Sequence, residues 1–437
     1  MTPIDLLINA RWIIPVEPAN RIFNDCAIAI DQGRIIALLP QEEAGKRYSA
    51  ARVENLTEHI LLPGLINAHG HAAMSLLRGF ADDTPLEDWL NNHIWPLEKQ
   101  WVDEEFVRDG AELAIAEMIK SGTSCFSDMY FFPEQTAQAA LSAQIRCQIT
   151  FPIFDFPSAW GTGPDDYFAK GLELHDSFQG NPLIRIGFGP HAPYTVGDET
   201  LKKVAVLAQE MDVPIHIHLH ETAGEVAESL EKYATRPSQR LMDLGLLSPQ
   251  TQCVHMTQIN EIDIAILQQS GAHVIHCPES NLKLASGFCP VDKLQKAGIN
   301  VALGTDGAAS NNDLDLFSEL KTAALLAKAV GNNAAALDAH SALRMATLNG
   351  AKALGIEDQV GSLEVGKCAD IVAIDMGDIE LQPLYNIASQ LVYTQIGHRV
   401  SHLWVNGKCL LAKRELQTIN EVELKQKVRH WQEKIQL

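Results

Sequence analysis

Leu61-Leu62-Pro63-Gly64-Leu65-Ile66-Asn67-Ala68-His69-Gly70-His71 is an apolar run that ends in a pair of histidines, and its reading decides the fold. On an extended backbone, residues two apart point to one side, so His69 and His71 can converge on one ion at the C-terminal end of a strand. An isolated pair at this spacing also arises as two polar loop residues. Its meaning therefore rests on what recurs downstream.

From residue 61 onward the chain repeats apolar strand, loop and amphipathic helix. The candidate strands are 61–68, 123–130, 146–154, 184–190, 214–219, 252–256, 273–277 and 300–305. Helical patterns between them include Glu104 to Ser121, Glu134 to Ala143, Asp198 to Met211, Ala223 to Tyr233, Glu261 to Ser270 and Leu314 to Ala329. Eight such units imply an α/β fold, a TIM-type (β/α)8 barrel over 61–360 with its active site at the C-terminal ends of the strands. Residues 1–60 carry short β-like runs, Leu6 to Ile14, Cys26 to Ile30, Arg34 to Leu39 and His59 to Leu62, punctuated by Asp31-Gln32-Gly33. After a further helix at Ser341 to Leu354, β-like runs return within 361–374, Val400 to Val405 and Lys408 to Leu411. These are read as completing the first β unit, so that 1–60 and 361–437, with a last helix at Glu421 to Ile435, form one composite domain.

A chain of 437 residues exceeds the usual single-core size, which suits a large barrel with an accessory domain. Its 34 Lys and Arg against 55 Asp and Glu leave a formal charge of −21, which argues against nucleic acid or anionic membranes as partners. The eight cysteines are scattered without a CxxC spacing and read as reduced thiols of a cytoplasmic protein. No signal peptide and no membrane-spanning run is read in the sequence.

The strand Pro214-Ile215-His216-Ile217-His218-Leu219-His220-Glu221 alternates three histidines and closes on a carboxylate. His218 at the strand end and Glu221 in the following loop form the best pair, whereas His216 reads as a barrel-interior histidine and His220 stays ambiguous. Cys253-Val254-His255-Met256 ends the next strand, and taken singly His255 is as readily a core residue as a functional one. Ala302-Leu303-Gly304-Thr305-Asp306-Gly307 ends the eighth strand, where Asp306 alone could be a turn cap. Together, His69, His71, His218 and Asp306 at three strand ends suit zinc or another first-row divalent ion with room for water.

This pattern resembles the amidohydrolase superfamily over nearly the whole chain, including a split β-sandwich beside the barrel. HxH after strand one, HxxE at strand five, His at strand six and Asp at strand eight look like the mononuclear subtype that deaminates nucleobases and related heterocycles. No lysine ends the fourth strand, so the resemblance implies one metal per chain, zinc or alternatively Fe2+ or another divalent ion. Trp95-Pro96-Leu97-Glu98, Gly189-Pro190-His191-Ala192-Pro193-Tyr194, His276-Cys277-Pro278-Glu279-Ser280-Asn281 and Thr305-Asp306-Gly307-Ala308-Ala309-Ser310-Asn311 further resemble the 5′-methylthioadenosine/S-adenosylhomocysteine deaminases. The resemblance implies that Asp306 takes a proton from the attacking water. Glu221 protonates adenine N1 and carries a proton to the departing amine, and His255 steadies the attacking oxygen. Glu98 would accept ribose hydroxyls, and His191 and Ser310 would touch the nucleoside. The bland readings of these last three are a solvated helix charge, a structural histidine and a helix N-cap.

A homocysteine tail ends in a carboxylate, which calls for Arg or Lys near the pocket. The long loop after the third strand, residues 154–168, has neither, and Arg146 stands at the wrong end of its strand. Methylthioadenosine is therefore the expected substrate, with S-adenosylhomocysteine or adenosine lesser ones. The alternatives are a hydrolase of guanine, 8-oxoguanine or an s-triazine on the same cage and, more remotely, a non-catalytic scaffold. The expected partner is a small purine nucleoside, and a homo-oligomer, dimer or tetramer, is implied by the resemblance.

Overall fold

Tyr48–Pro63 is a strand that joins the two ends of the chain. On one edge it runs parallel to Thr2–Ile13, and on the other it pairs antiparallel with Ile371–Asp375, Leu61 opposite Ala373 and Leu62 opposite Val372. The computed structural model describes residues 1–436 and builds around this strand an eight-stranded sheet that also takes in Phe23–Asp31, Arg34–Pro40, Val400–Val405, Lys408–Ala412 and Glu415–Leu416. The C-terminal half of the joining strand is covered on both faces, Ile60 and Leu62 entering one core and Leu61 another, and its last four residues are buried. Its first half, Tyr48 to Glu58, is mostly exposed and polar, so hydrophobic alternation gave no signal there.

The second sheet is the barrel. Its strands are Leu65–Asn67, Thr123–Asp128, Arg146–Ile153, Ile184–Pro190, Ile215–Leu219, Thr251–His255, His273–His276 and Val301–Leu303, all parallel and in sequence order. Between the last and the first, the Ala68 N–H donates to the Leu303 carbonyl at 2.9 Å and the Asp306 N–H to the His69 carbonyl at 3.1 Å. The α/β barrel and the second sheet from both chain ends agree with the expected fold.

The expected strand 61–68 is divided at Gly64, where the chain passes from one sheet to the other. A Cβ at Gly64 would stand 2.2 Å from Ser124 Oγ, so the crossing needs glycine for close approach. The single helix expected over Ser341 to Leu354 is two, Ala339–Met345 and Leu348–Ala353. The cause is competition for carbonyls: the Ile66 N–H takes Ala346 O at 2.8 Å, and the Thr347 hydroxyl takes Leu343 O at 2.7 Å. A helix the sequence reading left as loop begins at Pro164 and runs to Phe178, its proline at the first helical position. The last helix, Glu421–Gln436, packs on the barrel helix Glu104–Lys120, where Trp431 Nε1–H donates to Asp109 at 3.1 Å. Among the described residues, no helix is long and apolar enough to cross a membrane.

Arg146 ties the barrel floor to the other sheet. Its guanidinium donates to both Asp370 oxygens, at 2.7 and 3.2 Å, and both side chains are buried. Removing one partner of such a pair leaves a charge without compensation. Arg146→Met should cost about 3–5 kcal/mol in urea unfolding and leave the distant barrel mouth unchanged. A loss below about 1 kcal/mol, as for an exposed pair, would contradict this assignment.

Candidate metal centre

Each strand end that carries an expected ligand faces the same point above the barrel core. Two overlapping triads, His69–His218–His255 and His69–His71–Asp306, each hold their nitrogen and oxygen atoms within 4.8 Å of one another. His69 belongs to both. Asp306 Oδ1 lies 3.3 Å from Nε2 of His69 and 3.3 Å from Nε2 of His71, and the His218 ring sits 4.9 Å from that of His69, edge to face. Gly304 allows this approach, because a Cβ there would stand 2.8 Å from the His69 N and Cβ.

Contacts behind the rings turn lone pairs inward. His71 Nδ1 lies 2.6 Å from the Met129 carbonyl and His218 Nδ1 lies 2.7 Å from the His191 carbonyl. A carbonyl can only accept, so each ring carries its proton on Nδ1 and leaves Nε2 bare toward the site. His69 Nε2 is fully buried and has no hydrogen-bond partner, a costly state unless something takes its lone pair. Burial pushes His69 and His218 well below the usual imidazole value, which keeps them neutral as ligation requires. Burial alone would raise Asp306, but the imidazoles of His69, His71 and His255 around it hold it well below the usual carboxylate range. Three inward imidazole nitrogens and one carboxylate fit a divalent first-row ion.

Backbone strain collects at the same mouth. His220, His255 and Asp306 adopt positive φ of 53, 76 and 63°, a region uncommon for side chains with a Cβ. Glu221 follows His220 and is buried. Its N–H and that of His220 both donate to the Glu225 carboxylate at 2.8 Å, and Ser286 Oγ–H donates to its Oε1 at 3.3 Å. Burial raises Glu221 above the ordinary glutamate value. His255 Nε2 is 3.7 Å from Glu221 Oε2, and its Nδ1 is 2.9 Å from Asn281 Oδ1.

A cavity opens above these groups and is lined by His71, His218, Glu221, His255 and Asp306 together with Glu98, His191 and Ser310. Glu98 is buried rather than solvated, accepts the Tyr130 hydroxyl at 2.7 Å, and is pushed up by burial to about 7. His191 stacks on Phe154, with ring centroids 4.9 Å apart. The Thr195 hydroxyl donates to the Ala192 carbonyl, leaving its oxygen to accept His191 Nδ1–H at 3.0 Å, so His191 Nε2 is an acceptor. Ser310 is not an N-cap: it lies inside the short helix Ala308–Asn311, its hydroxyl 3.1 Å from the Gly307 carbonyl.

Of the loop 154–168, only Phe154 reaches the cavity; Asp155 instead accepts from the Gly197 N–H and Thr200, and Trp160 is buried elsewhere. The apolar wall comes from Leu86, Trp89, Leu90 and Ile94, which the sequence reading did not single out, together with Trp95 of the quoted Trp95-Pro96-Leu97-Glu98 stretch. Ser280 was also unassigned. Its hydroxyl donates to Asp306 Oδ2 at 2.6 Å and so completes the fixing of that carboxylate. His220 is settled as a loop anchor, its Nε2 accepting the Ser238 N–H at 3.1 Å.

The amidohydrolase family profile matches residues 60–410. The chain is 57% identical over 435 residues to the 5-methylthioadenosine/S-adenosylhomocysteine deaminase of Saccharophagus degradans, covering 100% of this chain and 98% of that protein. A crystal structure of an adenosine deaminase from Xanthomonas campestris with bound zinc superposes with a TM-score of 0.99 at 49% identity, covering 100% of this chain and 99% of that one. Atrazine chlorohydrolase from Arthrobacter aurescens, complexed with zinc, has a TM-score of 0.91 at 24% identity over 98% of this chain and 99% of its own, a likeness of fold alone.

Removing the Ser280 hydroxyl leaves Asp306 Oδ2 buried without that donor. Ser280→Ala should weaken zinc retention against a competing chelator by roughly 10–100-fold. Retention equal to that of the unaltered protein would show that the contact does not orient the carboxylate.

Proposed function

Because the chain belongs to the amidohydrolase family, we propose that it deaminates an adenine nucleoside hydrolytically at C6, converting 5′-methylthioadenosine to 5′-methylthioinosine and ammonia. It is then a hydrolase of carbon–nitrogen bonds in cyclic amidines. One observation carries the reading: a cage of inward imidazole lone pairs opens on buried Glu221 and Glu98 within one apolar-walled cavity.

His69, His71, His218 and Asp306 would hold a zinc ion, which when bound lowers the pKa of a coordinated water to roughly 7 and so supplies a nucleophile at neutral pH. Asp306, kept ionised, would accept a proton from the attacking water. Glu221, whose burial favours its protonated form, donates to N1 as the new C6–O bond forms, which moves the ring electrons off C6. His255 faces the same space and steadies the attacking oxygen. Glu221, now ionised, takes the proton of the C6 hydroxyl and carries it to the C6 amine, the C–N bond breaks and ammonia leaves, and the proton on Asp306 restores Glu221, so the oxygen of one water replaces one nitrogen. Glu98 accepts from the ribose hydroxyls, with His191 Nε2 as a second acceptor and Ser310 at the cavity wall.

The cavity chemistry favours the neutral methylthio group over a homocysteine tail. Among the described residues, no lysine or arginine lines the cavity. An adjoining recess that shares Leu86, Leu90, Trp95, Tyr194 and Glu221 is lined by Glu87 and Glu228, which repel a carboxylate. An unpaired carboxylate in partly buried surroundings costs several kcal/mol, against about 1.4 kcal/mol for each factor of ten. Free bases of the guanine or triazine type would leave Glu98 without its hydroxyl donors. The eight unpaired thiols suit a reducing cytoplasm, and a homo-oligomer of two or four chains belongs to the same proposal.

Initial rates of ammonia release from the zinc-loaded protein test the reading. Methylthioadenosine should exceed S-adenosylhomocysteine at least about tenfold in kcat/KM, and Glu221→Gln should lose roughly 10²–10⁴-fold with its zinc retained. Preference for a free base, or activity undiminished in the variant, would overturn it. Glu98 adds a pH signature. Since burial puts it at about 7, it loses its charge as pH falls through that value. The KM for the nucleoside should therefore rise from about pH 8 to about pH 6, and Glu98→Gln should abolish the dependence. A KM that is flat in the unaltered enzyme would contradict the ribose contact.

A further inference from the structure

Beneath the cage lies a buried polar layer that the proposed chemistry leaves unused. His69 Nδ1 is 2.7 Å from His216 Nε2, and His216 Nδ1 is 2.6 Å from Gln252 Oε1. Gln252 Nε2 donates to the Ala353 carbonyl at 2.8 Å. Its amide also faces that of Gln148, at 2.8 and 3.2 Å, and Gln148 Nε2 donates to Ser127 Oγ at 3.1 Å. His69, His216 and Gln252 have no exposed surface, so no solvent can exchange the roles of donor and acceptor.

The order of protons along this chain follows from its far end. Ala353 is the last residue of the helix Leu348–Ala353, and a carbonyl in that position has no partner within the helix. It can only accept, which fixes the Gln252 NH2 toward Ala353 and the Gln252 oxygen toward His216. His216 must then carry its proton on Nδ1, and its bare Nε2 must accept from His69 Nδ1–H. His69 is left with an Nε2 lone pair directed at Asp306 and the cage. With the amide reversed, two oxygens would oppose each other at Ala353. His216 and His69 would both shift their protons to Nε2, and His69 would present a proton where a ligand needs a lone pair.

We propose that Gln252 is a positioning residue for the metal site: held by Ala353, it sets the tautomer of His216 and, through that ring, makes His69 a ligand. The proposal rests on the reading of the cage as a zinc site. Gln148 pairs with the Gln252 amide in the same layer, yet it sets neither tautomer, because its own amide could turn together with that of Gln252, the Ser127 hydroxyl serving as acceptor or donor, whereas the Ala353 carbonyl can only accept.

The test compares zinc affinity in Gln252→Leu and Gln148→Leu, titrated against a chromophoric chelator, with urea unfolding of the metal-free proteins as a measure of structural damage. Gln252→Leu should lose roughly 10–100-fold in affinity, whereas Gln148→Leu should bind zinc like the unaltered protein at a comparable loss of stability. Nitrogen-15 spectra of histidine-labelled, metal-free protein report the ring protons directly and need no variant. They should show Nδ1–H on both His69 and His216. A proton on His69 Nε2, unchanged affinity in Gln252→Leu, or equal losses in both variants would overturn the proposal. If the unaltered protein bound no zinc, the metal reading itself would fall, a result distinct from these three.

Discussion

The hydrogen bonds that close the barrel, Ala68 N–H to Leu303 O and Asp306 N–H to His69 O, are the constraint on which the site depends. They bring the first and last strand ends together, so that one Asp306 oxygen stands equally far, 3.3 Å, from His69 and His71. Gly304 is the local condition for that closure, since any side chain there would run into His69. The same parallel closure brings the fifth and sixth strand ends across the barrel mouth from the first, which supplies His218 and His255. A barrel thus converts residues far apart in the chain into one cage without requiring any long loop to find its place.

The electrostatics of the cavity follow from burial sorted by partner. Burial keeps His69 and His218 neutral, as ligands must be. Asp306, buried against the cage imidazoles, stays ionised, while Glu221 and Glu98, buried with weaker compensation, are raised. Carboxyl groups of one cavity are therefore divided between proton acceptor and proton donor by their surroundings, the arrangement acid–base chemistry near neutral pH needs. Backbone at positive φ in His220, His255 and Asp306 fits the same picture, because each turn aims a side chain that an ordinary strand end would direct elsewhere.

Much of this was legible in the sequence, for a physical reason. Period-two alternation marks His69 and His71 as a pair at a strand's C-terminal end and His218 at the mouth of another, and small residues around Asp306 advertise a close approach. The joining strand at Tyr48 to Glu58 was not legible, because its exposed, polar residues carry no alternation. The apolar wall over 86–95 was obscured by a π-helical stretch, Trp89–Ile94, between two short α-helical ones, which blurs the helical period. Ser280 and Gln252 were invisible for a different reason: their roles lie wholly in partners brought by the fold, Asp306 in one case and His216 with Ala353 in the other. Spacing along the chain finds ligands that share a strand; it cannot find the groups that orient them from neighbouring strands.

The central claim is that one ion is held by His69, His71, His218 and Asp306, with His255 and Glu221 facing the reacting water and not the metal. Diffraction from crystals of the zinc-loaded protein at the zinc absorption edge tests it most directly. The account predicts a single anomalous peak per chain, bonded to those four side chains and to neither His255 nor Glu221. Two peaks within the cage, or one bonded to His255 in place of His71 or Asp306, would contradict it.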